Sequence, residues 1–297
     1  MTAGLPDWLM NARGDRPQLR WSFATDARLS DMKYARETGE VLAADESGGL
    51  YLLDRRGQIA ALTRTGHSFQ FVAFADTGTA GAVIVDDRQI AWIDRQLQFV
   101  WKKSLADDAL GLAMDPFGTH VVVSLANGKN VIYNADKKKL LEFESLRPLR
   151  FLQWTTTEAG FLAAADYGFF ARYSLHGDLD WSERLWSTVS DLAVTGDGEM
   201  IVLAGLAHGV QVFDSQGTAQ GSFVLDGTAS LVATSYNRRR IVAATLEKHI
   251  TLVDTEGTMR WMLQPTDDVL RLQMGPLGDH VVIGFADGHI VRLDSAS

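Results

Sequence analysis

Asp31, Asp191 and Arg271 are the residues whose type and spacing bear most directly on chemistry. They fall on one forty-residue register, whose other members are Phe71, Gly111, Phe151 and Leu231. Two carboxylates and a guanidinium converging on one space suit a small polar ligand or a metal ion. The competing expectation is a wet channel in which Arg271 pairs with an acid. The seven histidines, His67, His120, His176, His208, His249, His280 and His289, show no zinc-like spacing and are expected on surfaces or turns. No Gly-x-Gly-x-x-Gly, phosphate-loop or Gly-x-Ser-x-Gly motif occurs. No catalytic residue, metal site or cofactor is therefore assigned.

The elements that must position such residues repeat. Asp54, Asp94, Asn134, Asp214, Asp254 and Asp294 share one forty-residue grid that Ser174 interrupts. Trp21, Trp101, Trp181 and Trp261 lie on a grid of twice that step, and Gly78, Gly118, Gly198 and Gly278 mark a third. A fixed period of this size is the signature of a repeat architecture. One unit reads as four short strands: Val189 to Val194, Met200 to Ala204, Val210 to Phe213 and Gly221 to Leu225. They are rich in β-branched and aromatic residues and are separated by Gly/Asp turns, with no room for a helix. Aspartate followed three residues later by glycine (Asp54/Gly57, Asp214/Gly217, Asp254/Gly257) is a turn device. The carboxylate caps nearby N–H groups and the glycine supplies positive φ, so these aspartates are structural.

Seven first strands can be counted, but the chain stops three residues after Asp294, leaving the seventh unit short of its fourth strand. Residues 18–25, with Trp21 on the tryptophan grid, supply it and close a ring without free edges. The expectation is an all-β, seven-bladed β-propeller of four-stranded antiparallel blades spanning 18–297, with 18–25 completing the last blade. Residues 1–17 form an N-terminal arm, whose Leu5, Trp8, Leu9 and Met10 either fold back on the ring or dock a partner.

The run Val269-Leu270-Arg271-Leu272-Gln273-Met274-Gly275-Pro276-Leu277-Gly278, continuing to Asp287-Gly288-His289-Ile290-Val291-Arg292-Leu293-Asp294, resembles a WD-repeat. Thr251-Leu252-Val253-Asp254-Thr255-Glu256-Gly257 through Trp261 is similar to the repeat of quinoprotein-type propellers. The diagnostic residues of both families are missing: the terminal Trp-Asp dipeptide of the first, the quinone-binding set and vicinal cysteines of the second.

Composition narrows the partners. A net charge of −9 repels phosphate backbones, so nucleic acid is not expected. Lys137-Lys138-Lys139 and Arg238-Arg239-Arg240 read as solvated turns. No apolar run reaches membrane-spanning length and no signal peptide is recognised at the start, while cysteine is absent. A soluble, cytoplasmic protein is the expectation. Short, constant loops argue for a recognition platform over an enzyme. Its top face, built by the loops between second and third strands and between blades, carries an acidic excess (Asp26, Asp45, Glu46, Asp86 and others) suited to a basic protein or peptide. Tyr167 and Trp186 stand in registers that other blades fill with small or acidic residues. With Arg147 and Phe151 nearby they form the candidate partner site. The leading reading is a non-catalytic interaction scaffold; the alternative is a ligand- or metal-binding propeller, enzymatic or not, that uses the funnel around Asp31, Asp191 and Arg271.

Overall fold

The structure, a computed structural model, describes residues 6–295. Seven antiparallel sheets follow one another at 29–64, 69–104, 109–144, 151–184, 189–223, 229–263 and 269–294. In each, the strands run in sequence order from an inner to an outer edge, and the seventh receives its outer strand from Gln18–Ala24. That strand pairs antiparallel with His289–Asp294, from Gln18 opposite Asp294 to Ala24 opposite His289. The chain is a seven-bladed β-propeller closed by its N-terminal strand, as the repeat count requires.

The turn grid does what its chemistry predicts. Asp54 Oδ1 accepts the N–H groups of Arg56 (2.8 Å) and Gln58 (2.9 Å), and Asp94, Asn134, Asp214 and Asp254 each accept the same i+2 and i+4 pair. Ser174 does so through its hydroxyl. The residue three further on takes positive φ: glycine at 57, 177, 217 and 257, but Leu97 and Lys137 in the second and third blades.

Tryptophans join alternate blades to their neighbours. Trp21, Trp101 and Trp181 donate their indole N–H to the carbonyls of Arg55, Ala135 and Ser215, each in the lower turn of the following blade. Under Trp21 and Trp181 the turn holds a glycine against the ring, and a Cβ there would come within 2.6 Å of Trp21 at Gly57 and 2.8 Å of Trp181 at Gly217. Trp261 is also buried, but its indole nitrogen has no partner among the described residues. Its neighbours include the arm instead. The short helix Asp7–Met10 seats Leu9 in the core between the sixth and seventh blades, and Trp8 packs against Phe285 at 5.9 Å. Arg13 and Gly14 then pair with Met262 and Trp261, adding a fifth strand to the sixth blade. The described part of the arm thus folds back on the ring; Leu5 lies outside the described residues.

Histidine was misplaced by sequence reasoning in one case. His280 is buried, and its Nε2 lies 2.7 Å from the Tyr34 hydroxyl of the adjoining blade. Burial holds its imidazole below the ordinary histidine range, so it is a neutral blade-to-blade link and not a surface group.

Candidate functional site

Two surfaces hold the candidate residues: the axial channel and the top face. Inner strands are sheet edges, so their outward N–H groups need partners. Asp31 supplies one set. Its Oδ1 accepts from Met32 (2.7 Å) and its Oδ2 from Val72 of the next blade (2.8 Å). Asp191 repeats this with Leu192 and Val232, both at 2.9 Å. Both carboxylates therefore staple one blade to the next, at a register where six inner strands carry a β-bulge.

The structure brings Arg271 to Asp31, where its Nε donates to Oδ1 and its Nη1 donates to the Leu270 carbonyl. Asp191 has no such cation. Burial pushes its carboxyl up to about 6, against the pull of two backbone N–H groups. Part of its surface still faces the channel, so water there moderates that burial. Two of the three funnel residues meet, and the third stands apart. Among the described residues no three metal-ligating side chains gather at one point.

Sequence reasoning missed the groups that span the channel. Lys33 of the first blade reaches Gln153 of the fourth, with Nζ 3.5 Å from Oε1. Below them Arg36, Asp76 and Tyr236, from the first, second and sixth blades, meet across the lower end. Arg36 Nε lies 3.2 Å from Asp76, the Tyr236 hydroxyl donates to the same carboxylate at 2.5 Å, and the guanidinium stacks 4.2 Å over the tyrosine ring. Burial opposes that charge, but the Arg36 guanidinium and the Tyr236 hydroxyl outweigh it and hold the Asp76 carboxyl below the usual range. The register containing Lys33 signals this in sequence: its other members are alanine, apart from Gln153 and Gln273.

On the top face the loops are pinned and the side chains are not. The Leu185 N–H donates to the Gly168 carbonyl at 2.6 Å, and Ser187 Oγ accepts from the Ala207 N–H at 3.2 Å. The backbone on both sides of Trp186 is fixed, yet the ring itself is 98% exposed. Gly168 permits the contact: a Cβ there would sit 2.2 Å from the Leu185 carbonyl oxygen. This bond places the Tyr167 turn beside the Trp186 link, and Tyr167 is 78% exposed. The structure therefore unites Tyr167 and Trp186. Arg147 is exposed on the preceding link, beside the exposed Leu146. Phe151 belongs elsewhere, half-buried on the channel wall under Arg150.

Four further exposed apolar residues continue the pair. Leu146 shares the register of Trp186, Leu206 and Leu246 occupy one column of the second turns, and Val224 lies on the link between the fifth and sixth blades. Over the first and second blades the corresponding loops carry ion pairs, Arg64 with Asp26 (2.5 Å), Arg28 with Glu46 (3.7 Å) and Arg88 with Asp107 (3.6 Å), and a hydrogen bond between His67 Nδ1 and Asp86 (2.7 Å). Asp45, expected as free surface charge, is buried. It accepts from Ser47, Gly49 and Ala27 N–H groups and from the Tyr51 hydroxyl. Burial alone would raise its pKa, but these bonds hold the carboxyl below the usual range.

No protein-family model matches the chain, and a search of curated proteins returns no match. Among solved structures, the β-propeller domain of Cps50 (Swd1) from Myceliophteria thermophila is similar in shape. It superposes with a TM-score of 0.82 at 12% identity, covering 94% of this chain and 100% of that one. At that identity the likeness speaks for the fold alone, and the protein is a seven-bladed β-propeller.

Proposed function

We propose that the protein is a non-catalytic interaction platform that receives a partner protein or peptide on the top of its fourth to sixth blades. The observation that carries this reading is the crescent of exposed apolar side chains there, centred on Trp186 and Tyr167. Exposed tryptophan and tyrosine on a fixed backbone lose little conformational freedom on binding and dominate interface energetics. Glu144, Asp226 and Asp267 border the crescent without ion pairs among the described residues. Of the cations there, Arg150 and Lys248 are paired to Asp166 and Asp268, beside Arg147 and Arg184. A partner with apolar anchors and basic flanking groups fits this border. The absence of cysteine suits a reducing compartment, and we place the platform in the cytoplasm. No helix is long and apolar enough to cross a membrane.

Co-purification of tagged protein from its native lysate, beside a Trp186→Ala/Tyr167→Ala variant, tests the proposal. A stoichiometric partner is expected with the wild type and is lost with the variant at unchanged melting temperature. A partner retained by both proteins moves the interface off the crescent.

A further inference from the structure

The axial channel encloses a cavity of about 440 Å³, within the range of small-molecule sites. Two of its ionisable groups, Asp191 and Lys33, have no ion-pair partner among the described residues. Arg271 is spent on Asp31, and Arg36 on Asp76. Asp191 is engaged by two backbone N–H groups. Lys33 has three donors and one long contact, the 3.5 Å approach to Gln153, and no carboxylate among the described residues pairs with it. Around it the register is Ala73, Ala113, Ala193 and Ala233, which leave open space and offer no side-chain acceptor.

The walls above this point are apolar on three sides. Phe71, Phe151 and Leu231 line the cavity in the register that also holds Asp31, Asp191 and Arg271. The upper rim is formed by residues of the top loops, Asp166, Thr188 and Leu206 among them, while Arg36 lines the lower end. A ligand entering from the top thus meets a collar of three apolar and three charged side chains first, and an unpaired ammonium beneath it.

We propose that this channel binds a small monocarboxylate with an aromatic or branched apolar body. The body sits between Phe71, Phe151 and Leu231. The carboxylate accepts from the Lys33 ammonium and from the side-chain amide of Gln153. Burial holds the ammonium of Lys33 below the ordinary lysine range, and a carboxylate in contact offsets that cost. The fold has already desolvated and positioned the cation, so binding does not have to. The inference rests on the channel alone and stands or falls apart from the top-face platform.

Titration calorimetry with 3-phenylpropionate, 3-phenylpropanamide and the wild-type protein tests it without any variant. The acid is expected to bind at least about tenfold more tightly than the isosteric neutral amide. Lys33→Met, which keeps the length of the side chain, is expected to weaken the acid by at least about tenfold and leave the amide unchanged. Trp186→Ala changes neither. Equal binding of acid and amide, binding of the acid unaltered by Lys33→Met, or no heat from the acid up to about 5 mM, a ceiling corresponding to roughly −3 kcal/mol, overturns the proposal.

Discussion

The top of the first two blades and the top of the fourth to sixth are built on the same backbone and used differently. In both, the second turn is tied to the preceding link by the same bond: Glu46 N–H to the Arg28 carbonyl at 2.9 Å in the first blade, Leu206 N–H to the Thr188 carbonyl at 3.0 Å in the fifth. Over the first two blades the side chains on that frame answer one another as ion pairs. Over the fourth to sixth, Arg150 pairs with Asp166 and Lys248 with Asp268, but exposed apolar side chains from Leu146 to Leu246 stand among them. The inner register repeats the contrast, with Asp31 paired to Arg271 and Asp191 left without a cation. A propeller scaffold therefore separates two tasks that loops elsewhere must combine. Backbone bonds hold the loop, and the side chain is free to serve the fold or a partner.

The largest effect expected from this contrast is on stability in the first blade. Asp45→Ala leaves three N–H groups and the Tyr51 hydroxyl without their acceptor, and should cost about 3 kcal/mol in urea unfolding. Trp186→Ala, although it removes a far larger side chain, should change stability by less than about 0.5 kcal/mol. Comparable losses in the two variants would erase the distinction.

Next comes partner affinity. The Trp186→Ala/Tyr167→Ala variant should bind about 100-fold more weakly, some 2–3 kcal/mol, measured by surface plasmon resonance against the co-purified partner. Arg88→Ala, on the paired side, should alter affinity by less than about twofold.

A smaller effect separates the inner carboxylates. Because Asp191 titrates near 6 when folded and lower when unfolded, the folded state holds its proton more tightly. The stability this confers is full at pH values below the ordinary carboxylate range and is lost as the pH rises to about 6. Asp191→Asn cannot titrate there. Its melting temperature relative to wild type should thus be higher at about pH 7.5 than at about pH 4.5. A difference independent of pH would show that Asp191 is solvated like an ordinary carboxylate.

The smallest effect concerns the lower turns, which are alike on both sides of the ring. Asp54→Ala and Asp214→Ala should lower the melting temperature by similar small amounts, since each carboxylate accepts the same two N–H groups. Unequal losses would mean that the two sides differ beneath the top face as well.

What the sequence made legible follows the period. The aspartate turns, the tryptophan contacts and closure by Gln18–Ala24 are local or nearest-neighbour features, and a repeat copies them at fixed offsets. Trp186 and Tyr167 were visible as departures from their registers. Leu146 stood in the column of Trp186, and Leu206 and Leu246 in the column beside that of Tyr167, but an isolated leucine carries no signal until its exposure is known. The channel was less legible. Lys33 with Gln153, and Asp76 with Tyr236, are 120 and 160 residues apart and lie across the ring, where periodicity relates positions but does not say which side chains are long enough to meet. Asp45 was misread as free charge although its column, Val85, Leu125, Ala165, Gly205, Thr245 and Phe285, is buried throughout; the Tyr51 hydroxyl and three N–H groups are what let a carboxylate stand there. Residues 6–14 follow no repeat, so only their apolar character was readable.

The strand that closes the ring has a consequence in time. Gln18–Ala24 leaves the ribosome before the rest of the ring, and His289–Asp294, its partner, after it. At ordinary elongation rates the early strand waits roughly tens of seconds for its mate. Throughout that interval an incomplete ring presents two unpaired edges, one on each side of the open seam. Other polypeptides can be captured there, including a second copy emerging from the same message, whose early strand could be exchanged for this one. The order of synthesis thus makes the seam between first and last strands the step at which assembly within one chain competes with assembly between chains.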